Sequence, residues 1–189
     1  IGGNSQYVII PNEVMETGCL LKYEGDAFFY GSLSEPMSCI VGGFHANYHT
    51  KAGSYVHHMG IKEGGNAAIL AGAGPMGLGA IDYAIHGPIK PKMLVVTDID
   101  EARINRAKEI ISPEDAAKEG VQLTYLMSSD PEELMALTNG EGYDDVFVYA
   151  PVVPLIEQGD AILGDYGCLN FFAGPTKTDF QAKVNFYDV

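Results

Sequence analysis

The hydrophobic pattern divides the chain into three stretches. From residue 67 onward, short runs of consecutive apolar residues alternate with segments whose apolar positions recur every three or four residues. The runs Ala67–Ala71, Met93–Thr97, Val121–Met127, Val146–Ala150 and Cys168–Phe172 predict five strands. The periodic segments Pro75–Ile85, Glu101–Ile111, Pro131–Leu137 and Leu155–Leu163 predict four helices between them. Strands that are apolar on both faces and alternate with helices indicate an α/β fold with a parallel sheet covered on both sides. Right-handed crossovers make it a doubly wound, Rossmann-type sheet. Ahead of it, Ser34-Glu35-Pro36 places a capping residue and an early proline before Met37, Ile40, Val41 and Phe44, so residues 34–63 read as helical. Gln6–Pro11 is a β-branched run that reads as a strand, and residues 1–33 hold too few apolar positions for a core of their own. The expected division is 1–33, then 34–66 as connecting helices, 67–175 as the Rossmann domain, and 176–189 as the start of a further part.

Composition narrows the function. Hydrophobic residues make up 47% and charged residues 19% of 189, a globular balance. Twenty-five acids against eleven Lys and Arg give a formal charge of -14, which repels phosphate backbones and anionic lipid heads and argues against nucleic-acid and membrane partners. The longest uncharged run, Gly64–Ile81, is short for a spanning helix and is broken by glycines and a proline. No basic segment with an apolar core opens the chain, so no signal peptide is expected. The opening Ile in place of Met suggests a piece of a longer polypeptide. Cys19, Cys39 and Cys168 are odd in number and form no C-x-x-C pair, which favours a reduced, cytoplasmic setting. Cys39 and Cys168 read as small buried apolar residues.

The candidate chemistry lies between the first strand and its helix, in Gly72-Ala-Gly74-Pro75-Met76-Gly77. A G-x-G-x-x-G pattern alone is weak. Here it follows a strand, opens a helix, and precedes an acid, Asp98, at the end of the next strand, 21 residues after Gly77. Gly72 permits the tight turn, Gly74 lets a pyrophosphate approach the backbone, and Gly77 lets helix and strand pack closely. The helix N-terminus, where Pro75 and Met76 lie, offers unpaired N–H groups and a partial positive charge. Asp98 can accept hydrogen bonds from ribose hydroxyls, and its charge would repel a 2′-phosphate, which favours NAD over NADP. A plain glycine turn with a solvated aspartate is the alternative. A methyltransferase is another, although such enzymes commonly carry an acid in the first strand and Ala67–Gly72 has none.

Glu35-Pro-Met-Ser-Cys, Ala71-Gly-Ala-Gly-Pro-Met-Gly-Leu78, Val95-Val-Thr-Asp-Ile99, Arg103 and Ala107-Lys-Glu-Ile110 follow one another in an order that resembles the medium-chain dehydrogenase/reductases. The likeness is to their zinc-dependent alcohol and sorbitol dehydrogenase branch, and Glu35–Thr50 looks like its sorbose 1-phosphate reductase type. The resemblance implies hydride transfer between nicotinamide and a polyol or sugar phosphate, with zinc in the full-length parent. It implies that Glu35 lies beside that zinc as an extra ligand, though an acid is also favoured at any helix N-terminus. It places Arg103 over the adenine side, where an ordinary surface charge would also fit. It sets Ala150, with Pro151, where many relatives carry a Cys-Thr-Gly-like turn, and Gly174 in the nicotinamide-side loop. The family's Gly-His-Glu and its Cys-Gly-x-Asp-like turn do not occur in this sequence. The chain therefore resembles the central NAD-binding part of a larger enzyme, with a mostly missing catalytic domain. By itself it is expected to hold no zinc and to turn over no polyol. Self-association through the sheet is implied by resemblance only. A non-enzymatic dinucleotide-binding module remains the other class. His45 and His49, four apart, would share a face of a helix and read as packing or substrate contacts more than as metal ligands.

Overall fold

The computed structural model describes residues 5–128 and 130–186. The chain forms two compact units, one through Glu35 and one from Pro36. The first unit contains two short helices, α1 (Asn12–Glu16) and α2 (Phe28–Gly31). The strand expected over Gln6–Pro11 does not form, and Tyr7 and Ile9 are more than nine-tenths exposed. A β-branched run needs a neighbouring strand to pair with, and none is recorded for it among the described residues. Pro11, extended at φ -64° and ψ 153°, instead precedes the first turn of α1.

Helix α3 (Ser34–Ala46) is shorter than the helical stretch expected over 34–63. Ile40 and Phe44, one turn apart, are its buried face. The chain then forms a small antiparallel ribbon, β1 (Tyr48–His49) and β2 (His58–Met59), joined by a loop that turns at Gly53 with φ +76°. Cys39 is exposed and Cys168 only half-buried, contrary to the expectation of buried thiols. Cys39 precedes the buried Ile40 and projects from another side of α3.

The remaining elements in order are β3 (Asn66–Leu70), α4 (Pro75–His86), β4 (Met93–Thr97), α5 (Glu101–Ile110), α6 (Pro113–Lys118), β5 (Gln122–Leu126), α7 (Pro131–Leu137), β6 (Tyr143–Val148), α8 (Val153–Ala161) and β7 (Leu163–Phe171). The five long strands form one parallel sheet in the order β5-β4-β3-β6-β7. Alternate residues of β3 serve opposite faces. Ala67 and Ile69 join α3, α4, α5 and α6 in one cluster, while Ala68 and Leu70 join α7 and α8 in the other. Both faces are thus covered, as the continuous apolar runs required. Helix α6 was not anticipated, although Ser112 and Pro113 form a helix start whose cap accepts from the Asp115 amide. Strand β7 begins earlier than expected because an irregular stretch, with Tyr166 at φ +59°, shifts its register against β6. No helix among the described residues is long and apolar enough to cross a membrane.

Candidate functional site

The chain leaves β3 for β4 and β5 on one side, then returns to β6 and β7 on the other. The strand order therefore reverses between β3 and β6, and ligands of such sheets bind outside the carboxyl ends of the strands at that point. Ala71 makes the exit from β3 in a left-handed conformation, φ +54°. The Gly72 amide then donates to the Thr97 carbonyl at 2.8 Å, holding the turn against the end of β4.

The three glycines of the loop differ in what surrounds them. A Cβ on Gly77 would lie 2.0 Å from the Gly72 carbonyl oxygen, and one on Gly72 would lie 2.6 Å from Ile69 Cγ2. Gly72 is fixed by packing against Ile69 of β3 and Val96 of β4, and Gly77 by the close approach of α4 to the loop backbone. A Cβ on Gly74 would meet nothing within 4 Å, so the loop is open there. Gly74 is also the N-cap of α4, with no side-chain cap and no acid in the first turn. The first-turn amides of Met76 and Gly77 have no partner inside the helix, and the dipole adds partial positive charge. Pro75 has no N–H to offer and serves by fixing φ at the helix start. The Met76 side chain is partly buried against the core, and its backbone N–H is the polar group it offers a ligand. This open, electropositive cradle fits a diphosphate.

Asp98 ends β4 and is 6% exposed. Its Oδ2 accepts from the Ala73 amide at 3.2 Å and its Oδ1 from the Asp100 amide at 3.1 Å. The carboxylate thus pins the glycine loop to β4, and each oxygen keeps a further lone pair. Asp100, not singled out in the sequence, caps α5 by accepting from the Arg103 amide at 3.1 Å. The Arg103 side chain, 60% exposed, lies 3.6 Å from Asp100 Oδ2, so its recorded ion pair is within its own helix start.

On the other side of the reversal, the Tyr149 amide donates to the Leu70 carbonyl at 3.0 Å and carries the β3–β6 ladder to the edge of Ala150. The Ala173 amide donates to the Val148 carbonyl at 3.2 Å, which brings Gly174 to the same edge. Beside Ala150 and Gly174 an open groove of about 470 Å³ is lined by Pro151, Val153, Pro175, Thr176, Lys177 and Phe180. The Tyr149 hydroxyl is buried without a partner among the described residues, and burial pushes its pKa up. Its ring stacks on Phe172 at 4.6 Å.

Glu35 lies in the first unit, exposed on the first turn of α3. Among the described residues no three His, Cys, Asp or Glu side chains gather to hold a metal ion. Glu35 alone does not make a zinc site. His45 and His49 do not share a helix face, because α3 ends at Ala46 and His49 belongs to β1. His45 Nε2 lies 3.2 Å from the Tyr83 hydroxyl, and His49 faces Asp145.

No family model matches the chain. Its whole length is 54% identical to mannitol-1-phosphate 5-dehydrogenase of Aliivibrio fischeri and 49% identical to L-sorbose 1-phosphate reductase of Klebsiella pneumoniae. It spans 45% and 46% of those two proteins, under half of each. Among solved structures, a zinc-binding dehydrogenase of Sinorhizobium meliloti bound to NADP is 18% identical and superposes with a TM-score of 0.61, covering 84% of this chain and 40% of its own. That likeness is one of fold, and it is the doubly wound fold read from the strand pattern.

Proposed function

We propose that this chain, which resembles the medium-chain dehydrogenase/reductases along its whole length, supplies the dinucleotide-binding part of a zinc-type polyol or sugar-phosphate dehydrogenase. The observation that carries the reading is the open cradle at Gly74, set over the uncapped N-terminus of α4 beside Asp98. The relatives act on mannitol 1-phosphate and sorbose 1-phosphate by name, which supports a substrate of that class for the whole protein.

The nicotinamide, when bound, takes up or gives back a hydride. The chain's own residues bind and orient. The Met76 and Gly77 amides and the α4 dipole hold the diphosphate. Asp98 accepts from the adenosine ribose with the lone pairs left over from Ala73 and Asp100. Because a dinucleotide lies across the strand reversal, its other half extends toward Ala150, Gly174 and the groove beside them, with Arg103 on the adenine side. NAD is the preferred cofactor, because a 2′-phosphate would meet the Asp98 charge. Zinc belongs to the full-length protein, with Glu35 beside it as the resemblance implies. Alone, this stretch binds cofactor without turning over a polyol.

The test is calorimetric titration of wild type and Asp98→Ala with NAD and NADP at fixed ionic strength. Losing hydrogen bonds to a charged acceptor costs about 1.5–3 kcal/mol, so Asp98→Ala should weaken NAD roughly tenfold or more and NADP less. Equal losses for both would remove Asp98 from the ribose.

A further inference from the structure

At the amino ends of the sheet lies a buried polar cluster that takes no part in the dinucleotide site. Asp145, on β6, is 2% exposed. Its Oδ1 accepts from Asn47 Nδ2 at 2.7 Å and lies 2.9 Å from His49 Nε2, while its Oδ2 accepts from the Lys62 amide at 2.8 Å. Asn170 Nδ2, on β7, donates to Asn47 Oδ1 at 2.9 Å and to the Gly43 carbonyl at 3.0 Å. One network therefore joins the end of α3, the β1–β2 ribbon, β6 and β7. The second ring nitrogen of His49, Nδ1, lies 3.3 Å from the Tyr166 carbonyl on β7.

Both ring nitrogens of His49 thus face atoms that can only accept, a carboxylate and a carbonyl. A neutral imidazole carries one N–H, so either neutral tautomer would set a lone pair against an acceptor in the interior, which is costly. The surrounding charges favour a cation. Asp145 and Asp144 approach from β6, and the Lys62 ammonium is turned to Asp144. From β7 come the Tyr166 carbonyl and, opposite Asp145 in register, Cys168, whose thiol burial pushes up. The hydrogen bond that His49 donates to Asp145 raises the His49 pKa above the ordinary imidazole value, against the opposing effect of burial.

We propose that His49 is held as an imidazolium and acts as a pH-sensitive latch that clamps the β1–β2 ribbon to the β6–β7 edge of the sheet. A group whose pKa is raised on folding stabilises fully below its unfolded value of about 6.5. That stabilisation is lost as pH rises through the higher folded value. The latch is closed in mildly acidic solution and opens on the alkaline side.

The experiment is a pH titration of the 189-residue chain, read by NMR at the His49 ring nitrogens and by amide hydrogen exchange. The expected result is that both His49 nitrogens are protonated at pH 6.5 and that the ring titrates above that pH. Through the same midpoint, protection of the Gly60 and Lys62 amides, which donate to Asn47 and Asp145, falls about tenfold. Protection of Val95 and Val96 in the sheet centre stays constant. In His49→Gln, which keeps a donor toward Asp145 without titrating in this range, the Gly60 and Lys62 step should vanish. A neutral His49 ring at pH 6.5, or a step that persists in His49→Gln, would overturn the latch. Should His49→Gln fail to fold, the wild-type ring titration decides alone.

Discussion

At the carboxyl ends of β3 and β4 a glycine loop leaves empty space at Gly74 and first-turn amides with no partner in their helix. At the amino ends of β6 and β7, the side-chain nitrogens and oxygens of Asp145, Asn47 and His49 each meet a partner within the protein. Both ends hold a buried aspartate, Asp98 and Asp145, so burial of an acid does not distinguish a ligand site from a structural one. What distinguishes them is the neighbourhood. Asp98 lies against a backbone turn with open space at Gly74, whereas Asp145 meets two side chains and the Lys62 amide, which engage three of its four lone pairs. The first arrangement has open space for a ligand, and the second uses most of its capacity to join four segments of the fold.

Substitutions at the two ends should therefore separate stability from binding. Asp145→Ala should have the largest effect. It strands the Asn47 and Lys62 donors and leaves the His49 cation buried without its counter-charge, a loss of about 3–5 kcal/mol by the measure of broken buried pairs. Denaturant unfolding would show it, and a loss under about 1 kcal/mol would mean the cluster contributes little. Gly77→Ala should come next. Its Cβ would sit 2.0 Å from the Gly72 carbonyl, where backbone must move. A cost of about 3 kcal/mol, together with weakened cofactor binding, is the expected outcome of such overpacking. Unchanged unfolding and binding would contradict the close approach of α4 to the loop. Gly74→Val should alter stability least, by no more than about 1 kcal/mol for the poorer N-cap, since its backbone at φ -81° suits any residue and nothing lies within 4 Å.

How much of this was legible in the sequence depended on how local each signal is. The five strands follow from unbroken apolar runs, and the loop at Gly72–Gly77 from a short motif between a strand and a helix. The acid at Asp98 falls at the end of the next strand, where a fixed spacing points to it. The bond from the Ala73 amide to Asp98 could not be read, because the motif gives positions and not hydrogen bonds. Asp145 carries no comparable local signal, since its partners Asn47 and His49 lie 98 and 96 residues away. Two-residue strands such as β1 and β2 leave no periodicity, so residues 47–63 read as helix. Gln6–Pro11 carried the composition of a strand without a strand to pair with.

The central claim, that the open space at Gly74 is where a dinucleotide's diphosphate lies, is tested most directly by calorimetric titration of NAD into wild type and Gly74→Val. A valine filling that space should lower affinity at least tenfold, while the unfolding free energy stays within about 1 kcal/mol of wild type, the scale of replacing a favourable N-cap. Saturable binding to wild type with undiminished affinity in Gly74→Val would contradict it.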